Sequence, residues 1–305
     1  MKKILYVLFM IPLSLGLSGC GFDDERVEYP VKSVLFTYQN YNRELVVGEG
    51  LRFKPGVVFA GLEKSDRDRV VNYVIDPTLV PAGKTLLPAD YYTAEDDAKF
   101  VVKEGELKGY INYELDSAKF VRDTKALTGE YVLPFKITSA DADSVNAAKD
   151  YMVVSLKYLA KQFGYYTYTS RVTNTVTGEV TVQQNISNET NSVRELTTLA
   201  ANRLLMHADP KNTFDPASSY MLYIIVAPRE ADGVVIGSHD DSPIRISADG
   251  ESTYDEATKT FTLRYKYTKE AVEYKVVDVL TFRNRIRDRQ DAPNAHVYIN
   301  EWEGF

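Results

Sequence analysis

The sequence predicts an all-β protein, an N-terminal immunoglobulin-like β-sandwich followed by a second antiparallel β-domain that is sandwich-like or barrel-like. Three observations carry this expectation. The 305 residues include 22 tyrosines and 13 phenylalanines with many valines and threonines, side chains that suit a pleated, half-buried surface. Apolar residues recur at period two, most cleanly in Phe261-Leu263-Tyr265-Tyr267, with Thr260, Thr262, Arg264 and Lys266 pointing the other way. Long 3.6-residue patterns are absent, and turn residues separate the alternating segments, as in antiparallel sheets with one wet face.

In chain order, residues 28–160 supply the strands Val31–Tyr38, Glu44–Val47, Leu51–Phe59, Val70–Ile75, Lys99–Lys103, Tyr110–Leu115, Tyr131–Thr138 and Tyr151–Tyr158. That number of short strands in this span suits an immunoglobulin-type sandwich. Asp76-Pro77-Thr78 and Leu87-Pro88-Ala89-Asp90 are its strongest turn signals, because Pro presets φ and Asp bonds local backbone. Residues 161–305 supply Tyr165–Ser170, Glu179–Gln184, Tyr220–Val226, Gly233–Ile236, Ile244–Ser247, Thr258–Tyr267 and Val272–Phe282. A short helix is expected around Arg194–Met206, the best helix-period patch in the chain, within an otherwise loop-rich 185–218. No long Pro/Ser linker separates the halves, so the two domains are expected to touch.

The first 19 residues read as a secretory signal. Lys2 and Lys3 precede an apolar stretch from Ile4 to Leu17, and Ser18 and Gly19 follow. The stretch is interrupted by Pro12 and Gly16 and falls short of the roughly 20 apolar residues of a membrane-spanning helix. The only cysteine, Cys20, stands directly after Leu17-Ser18-Gly19. This end resembles a bacterial lipobox, which implies lipid attachment to Cys20 and an outer membrane anchor. Asp23, Asp24 and Glu25 then form an acidic tether over residues 20–27, similar to the surface-export signal of glycan-foraging Gram-negative bacteria. The expected location is the outer membrane, facing the cell exterior.

Charge and cysteine usage exclude several classes. Loss of residues 1–19 removes two lysines and no acid, taking the net charge from −7 to −9. Such a chain is a poor partner for nucleic acid, where Lys and Arg must neutralise phosphates. With Cys20 lipidated, no thiol remains for a disulfide or a thiolate metal site.

Two stretches of the first half, Val70–Tyr92 and Gly129–Ser139 with Val145 and Asn146 following, resemble a bacterial β-sandwich family. That domain occurs in surface lipoproteins of polysaccharide-utilisation loci and in front of some family-18 endo-β-N-acetylglucosaminidases. The second half, through Ser252–Tyr265 and the ending Phe282–Asp288, resembles the C-terminal β-domain that often accompanies it. The resemblance implies a SusE/SusF-like role: holding glycan at the cell surface beside a SusC/SusD-like importer complex. The chain departs from the glycosidase branch, because no Asp-x-x-Asp-x-Asp-x-Glu catalytic string occurs.

Motifs for other chemistry fail. Gly83-Lys84-Thr85 lacks the leading glycine of a phosphate loop, and no Gly-x-Ser-x-Gly elbow exists. His239-Asp240-Asp241 offers only part of a Ca²⁺ shell and reads as a solvated turn. No cofactor, metal site or catalytic residue is expected. Arg283, Arg285, Arg287 and Arg289 share one face of an extended segment. They read either as a charge-protected edge strand with Asp278, Asp288 and Asp291 as partners, or as a site for acidic groups.

Sugar binding asks for an aromatic face beside amide and carboxylate groups. Trp302, the only tryptophan, stands with Tyr298, Asn300 and Glu301 in such a mixture, though it could instead close the domain core. Tyr166 and Tyr168 form a second candidate platform at the domain junction, with Tyr165 on the opposite face. The functional expectation is non-catalytic binding of an oligo- or polysaccharide by the second domain, the first acting as a spacer. A protein-binding structural or adhesive subunit, and a weak glycosidase, are the alternatives.

Overall fold

The computed structural model describes residues 31–185, 193–207, 223–228, 233–288 and 299–302; for 184–185, 223–228 and 299–302 only the backbone is described. Cys20, the acidic tether, Tyr298 and Arg289 lie outside the described residues. The architecture is all-β, as expected, with a few short helical turns.

Two clusters of buried residues organise the chain, one drawn from Val34–Tyr158 and the other from Ala160–Leu280. The first is wrapped by three sheets. A five-strand path runs Asn40–Val46, Tyr151–Leu159, Tyr131–Ala140, Arg69–Ile75 and Lys99–Val102, with Thr85–Leu86 beside Tyr131–Ala140. Facing it, a four-stranded sheet runs Ser144–Val145, Ser33–Phe36, Gly56–Ala60 and Lys108–Tyr110, and a three-stranded sheet runs Arg52–Phe53, Tyr113–Leu115 and Tyr92–Ala94. The chain changes sheets between Phe36 and Asn40, so two successive strands serve opposite layers of the sandwich. Aromatic rings fill the space between: Phe135 meets Tyr73 at 5.5 Å and Tyr113 at 5.4 Å, and Phe36 meets Phe100 at 5.9 Å. The buried hydroxyls of Tyr73 and Tyr113 bond each other at 2.6 Å, and Tyr73 Oη donates to the Asp96 carbonyl, so burial leaves neither polar tip alone.

Both expected turns form. Asp76 caps the helical turn Pro77–Leu79 by accepting from Thr78 N, and Ala89–Tyr91 forms a second such turn. Two expected strands are instead broken. Leu51–Phe59 divides into Arg52–Phe53 and Gly56–Ala60, and Tyr110–Leu115 into Lys108–Tyr110 and Tyr113–Leu115, each pair shared between two sheets. Two short helices, Ser117–Phe120 and Thr124–Thr128, lie in a stretch without a strand signal; Asp116 and Asp123 cap their N-termini.

The second unit is one large sheet around the strand Val272–Arg287. Gly164–Asn174 pairs on one side of it and Thr260–Lys269 on the other, and Ile299–Trp302 adds at its far end. The tight turn after Lys269 is made by Glu270 and Ala271 at φ 51° and 64°, the left-handed pair that matches hairpin twist. Burial along Thr260–Lys269 alternates as expected, with Phe261, Leu263, Tyr265 and Tyr267 inside.

The expected helix at Arg194–Met206 is a β-hairpin, Arg194–Ala200 with Arg203–His207. Leu196, Leu204 and Met206 are fully buried, and each lies on the inward face of its own strand. Reversal of the chain at Ala201-Asn202 gives these apolar positions a spacing that mimics a helical face.

Candidate functional site

The two units meet along polar contacts from residues 43–49 to residues 285–288. Asp288, 2 % exposed at φ 58°, accepts from Glu44 N at 2.5 Å and from the Arg43 guanidinium, while its own N–H donates to Glu44 Oε2 at 3.0 Å. Arg285 donates to the carbonyls of Phe163 and Lys161 at 3.1 and 2.7 Å and pairs with Glu49 at 2.9 Å. Arg285, through Glu49, and Arg287, through the Glu44 carbonyl at 3.4 Å, therefore fasten the second unit to the first. Their strand is paired on both sides as far as Asn284, Arg283 and Arg285 are buried, which an exposed edge guard would not be, and the Arg287–Asp288 approach at 3.7 Å is one of the expected local pairings. Asp278 bonds Tyr265 Oη at 2.9 Å inside the second core instead of an arginine of the stripe.

Beside this fastening lies a cleft of about 450 Å³. Strand registers build its walls. In the first unit, Asn42 pairs across from Ser155 and Glu44 from Lys157 in a parallel ladder, so these four side chains project together. Glu44 Oε1 lies 3.8 Å from Lys157 Nζ. In the second unit, Tyr165 pairs across from Glu195, with Thr197 two residues on and Phe163 two residues before. Ile286 also lines the cleft. Tyr165 and Phe163 are half-buried, leaving part of each ring to the cleft.

Gly164 makes this wall possible. At φ +150°, a Cβ there would lie 2.8 Å from the Phe282 ring and 2.9 Å from Asn284 O, so only glycine lets the strand start against Val272–Arg287. Ordinary strand alternation sends the Tyr165 and Tyr166 rings to opposite faces, and the register shift beside them leaves Arg283 as the extra residue on Val272–Arg287.

The candidate platform of Tyr166 and Tyr168 is corrected by this geometry. Tyr166 is fully buried against Phe261 and Phe282 and donates to Gln162 O at 2.7 Å; burial holds its hydroxyl well above the usual value. Tyr168 is 4 % exposed, and the Arg194 guanidinium lies 4.5 Å from its ring centroid. Neither offers a face to a sugar. The tyrosine that reaches the cleft is Tyr165, which sequence reasoning passed over. A signal was present, because Tyr165 shares its face with Thr167, Thr169 and Arg171, a wet pattern, whereas Tyr166 and Tyr168 continue into Val172.

Asn300, Glu301 and Trp302 sit on the strand Ile299–Trp302, with Trp302 across from Asn284, Glu301 from Arg285 and Asn300 from Ile286. This brings their backbone next to Ile286, one of the residues that line the cleft. His239 and Asp241 approach at 3.5 Å, with Asp241 largely exposed, and no group of three or more potential metal-ligating side chains occurs among the described residues.

One further polar group is buried without reaching the cleft. Asp278 is fully inaccessible, and burial pushes its carboxyl above the usual range although Arg194, Ser170 and Tyr265 act in the opposite direction.

Fold and cleft together define a two-unit, all-β protein with a polar-aromatic site at the unit junction. A family model described as an N-terminal domain matches residues 28–144. No curated protein matches the chain. A solved structure of unknown function from Bacteroides ovatus is similar at a TM-score of 0.65 and 17% identity, covering 84% of this chain and 95% of that one. A second structure of unknown function from the same organism gives 0.45 and 14%, covering 89% and 99%. An auxiliary nutrient binding protein from Bacteroides thetaiotaomicron gives 0.38 and 15%, covering 81% and 92%. At these identities it is the fold that is shared, and only the first likeness is close enough to support it.

Proposed function

We propose that the protein is a cell-surface lipoprotein that holds an oligo- or polysaccharide in the junction cleft without cleaving it, and presents it to a SusC/SusD-like outer-membrane importer in a SusE/SusF-like manner. The observation that carries this reading is the cleft itself. It sets the half-buried rings of Tyr165 and Phe163 beside the amide of Asn42, the hydroxyls of Ser155 and Thr197, and the charges of Lys157 and Glu195. Aromatic faces suit the C–H side of a pyranose, and the surrounding groups suit its hydroxyls. Cys20 supplies the anchor in this reading, with its acyl chains embedded in the outer membrane.

Binding is favoured over hydrolysis by the contacts of Glu44. A glycosidase needs two carboxyls about 5–9 Å apart across the sugar, one of them able to deliver a proton. Glu44 already accepts from the Asp288 N–H and faces Lys157 at 3.8 Å, so this carboxyl is engaged in the contact between units.

The test is affinity electrophoresis through neutral polysaccharides chosen from a glycan array. Tyr165→Ala should weaken retention about tenfold, the ratio that about 1.4 kcal/mol of lost stacking gives. Trp302→Ala tests whether the adjoining strand contributes. Retention that survives Tyr165→Ala, or release of reducing ends from a bound polymer, would overturn the cleft reading. Mass spectrometry of the mature N-terminus tests the anchor separately, the expected product starting at a diacylglycerol-modified Cys20.

A second reading is favoured by one specific feature. Val176, Val180 and Val182 are 73%, 39% and 53% exposed at and beside the strand Val180–Asn185, which pairs along Gly164–Asn174. Strand addition by a protein partner would use such a surface. Pull-down of an envelope protein that Val182→Lys abolishes, with no glycan retained, would favour this reading over the first.

A further inference from the structure

The first unit carries a pocket of its own, on the side where Gly56–Ala60 and Lys108–Tyr110 pair. It measures about 250 Å³, and Tyr38, Tyr41, Tyr110, Lys54 and Lys108 supply its chemistry. It shares no lining residue with the junction cleft. Tyr38 and Tyr41 stack with centroids 5.7 Å apart and planes 9° from parallel. Arg43 lies 5.6 Å from the Tyr41 centroid and its guanidinium is held by Asp288, so the stacked pair is braced from the unit junction.

Tyr110 is 56% exposed, so much of its ring is open to solvent. It is nevertheless fixed in place. Gly56 pairs directly across from it, and a Cβ at position 56 would lie 2.4 Å from Tyr110 Cδ1, so the ring rests on the glycine backbone. Gly56 is not among the glycines of positive φ; what the position requires is room for the ring. Lys108, two residues before Tyr110 on the same strand, projects from the same face.

The charge of the pocket runs against that of the chain. The protein carries a net −7, yet no carboxylate lines this pocket. Its two ammonium groups, on Lys54 and Lys108, are exposed and have no ion-pair partner among the described residues. A pre-positioned aromatic face with two uncommitted cations beside it is complementary to a ring that carries a negative charge.

We propose that this pocket is a second saccharide site, which takes an anionic sugar unit. The pyranose ring packs on the open face of Tyr110 beside the Tyr38–Tyr41 stack, and its carboxylate or sulfate is held by Lys54 and Lys108. The first unit is then a reader of glycan charge as well as a spacer, and this site stands whether or not the junction cleft binds sugar.

The experiment is affinity electrophoresis of the full chain through polygalacturonate, which carries only carboxylates, κ-carrageenan, which carries only sulfates, and neutral dextran. Retention by either polyanion and not by dextran is expected, against the general repulsion of an acidic protein. Which polymer retards the chain identifies the anion. The double variant Lys54→Gln/Lys108→Gln, at exposed positions, should lower affinity about tenfold or more, as loss of charge-assisted hydrogen bonds does. Gly56→Ala, which displaces the Tyr110 ring, and Tyr110→Ala should each lower it severalfold. Tyr165→Ala should leave it unchanged, which separates failure here from failure of the cleft. Absence of retention by both polyanions, or retention that the lysine variant keeps at a wild-type melting temperature, would overturn the proposal.

Discussion

The two units solve the burial problem in different ways. The first encloses a sandwich core of interlocking rings, Phe36, Tyr73, Phe100, Tyr113 and Phe135, whose polar tips are paired within the unit. Buried charge there is confined to Arg69, which bonds Ser65 Oγ, Asp66 and the Asp141 carbonyl. The second unit is a single broad sheet with Asp278, Arg194, Arg283, Arg285 and Asp288 all within 9% of full burial. Apolar packing is non-directional and tolerates small shifts, whereas buried charges hold only when their partners are placed correctly. The difference teaches that the first unit is organised from within, while the second depends on its neighbour, since Arg285 and Asp288 find partners in Glu49, Arg43 and Glu44.

Three substitutions sharpen that contrast. Phe135→Ala removes the ring at the centre of the aromatic cluster and should cost about 3–5 kcal/mol, read as a lowered midpoint in urea denaturation. If the first unit is organised from within, its transition shifts and the transition of the second remains separable.

Asp288→Ala leaves the Arg43 guanidinium and the Glu44 N–H without their carboxylate at a nearly inaccessible position, and should cost about 3 kcal/mol. Calorimetry should then resolve two endotherms, with the second unit melting first. A single shifted endotherm would mean that apolar contacts, such as Ala201 against the first core, carry the coupling instead.

Asp278→Asn has the smallest effect, and its sign depends on pH. Burial raises the folded carboxyl above 3.8, so native protein keeps the proton after unfolded chain has released it. The stability from this group is fully present below the unfolded value and is lost as pH rises through the folded one. The asparagine, which still accepts from Tyr265 Oη, escapes that loss. Its melting temperature relative to wild type should therefore increase from pH 4 to pH 8. A difference that is flat with pH would show that Asp278 is ionised in the native core.

How much of this was legible beforehand can be followed residue by residue. Alternation at Phe261–Tyr267 states its inward face outright, because period two on a one-sided sheet leaves no other arrangement. Asp76-Pro77 and Pro88 announce their turns through local chemistry that needs no distant partner. Arg194–Met206 misleads because a hairpin's apolar positions, read through its turn, imitate a helix, and only pairing with Gly164–Tyr166 and Tyr223–Pro228 distinguishes the two. The candidate cleft is half legible: the segment Tyr165–Tyr168 stands out in the sequence, but its candidates Tyr166 and Tyr168 are buried, and Tyr165 is the one that lines the cleft.

Sequence by itself therefore determined the strand-rich class, the inward pattern of the long strands and the local turns, since each depends on residues that are neighbours in the chain. Tertiary structure alone decided that Arg285 and Arg287 join two units, that Tyr165 and Glu44 face one cleft, and that Tyr110 lies over Gly56 beside lysines with no ion pair among the described residues. Those outcomes depend on registers between strands far apart in sequence, where a shift of one residue would send every side chain to the opposite face.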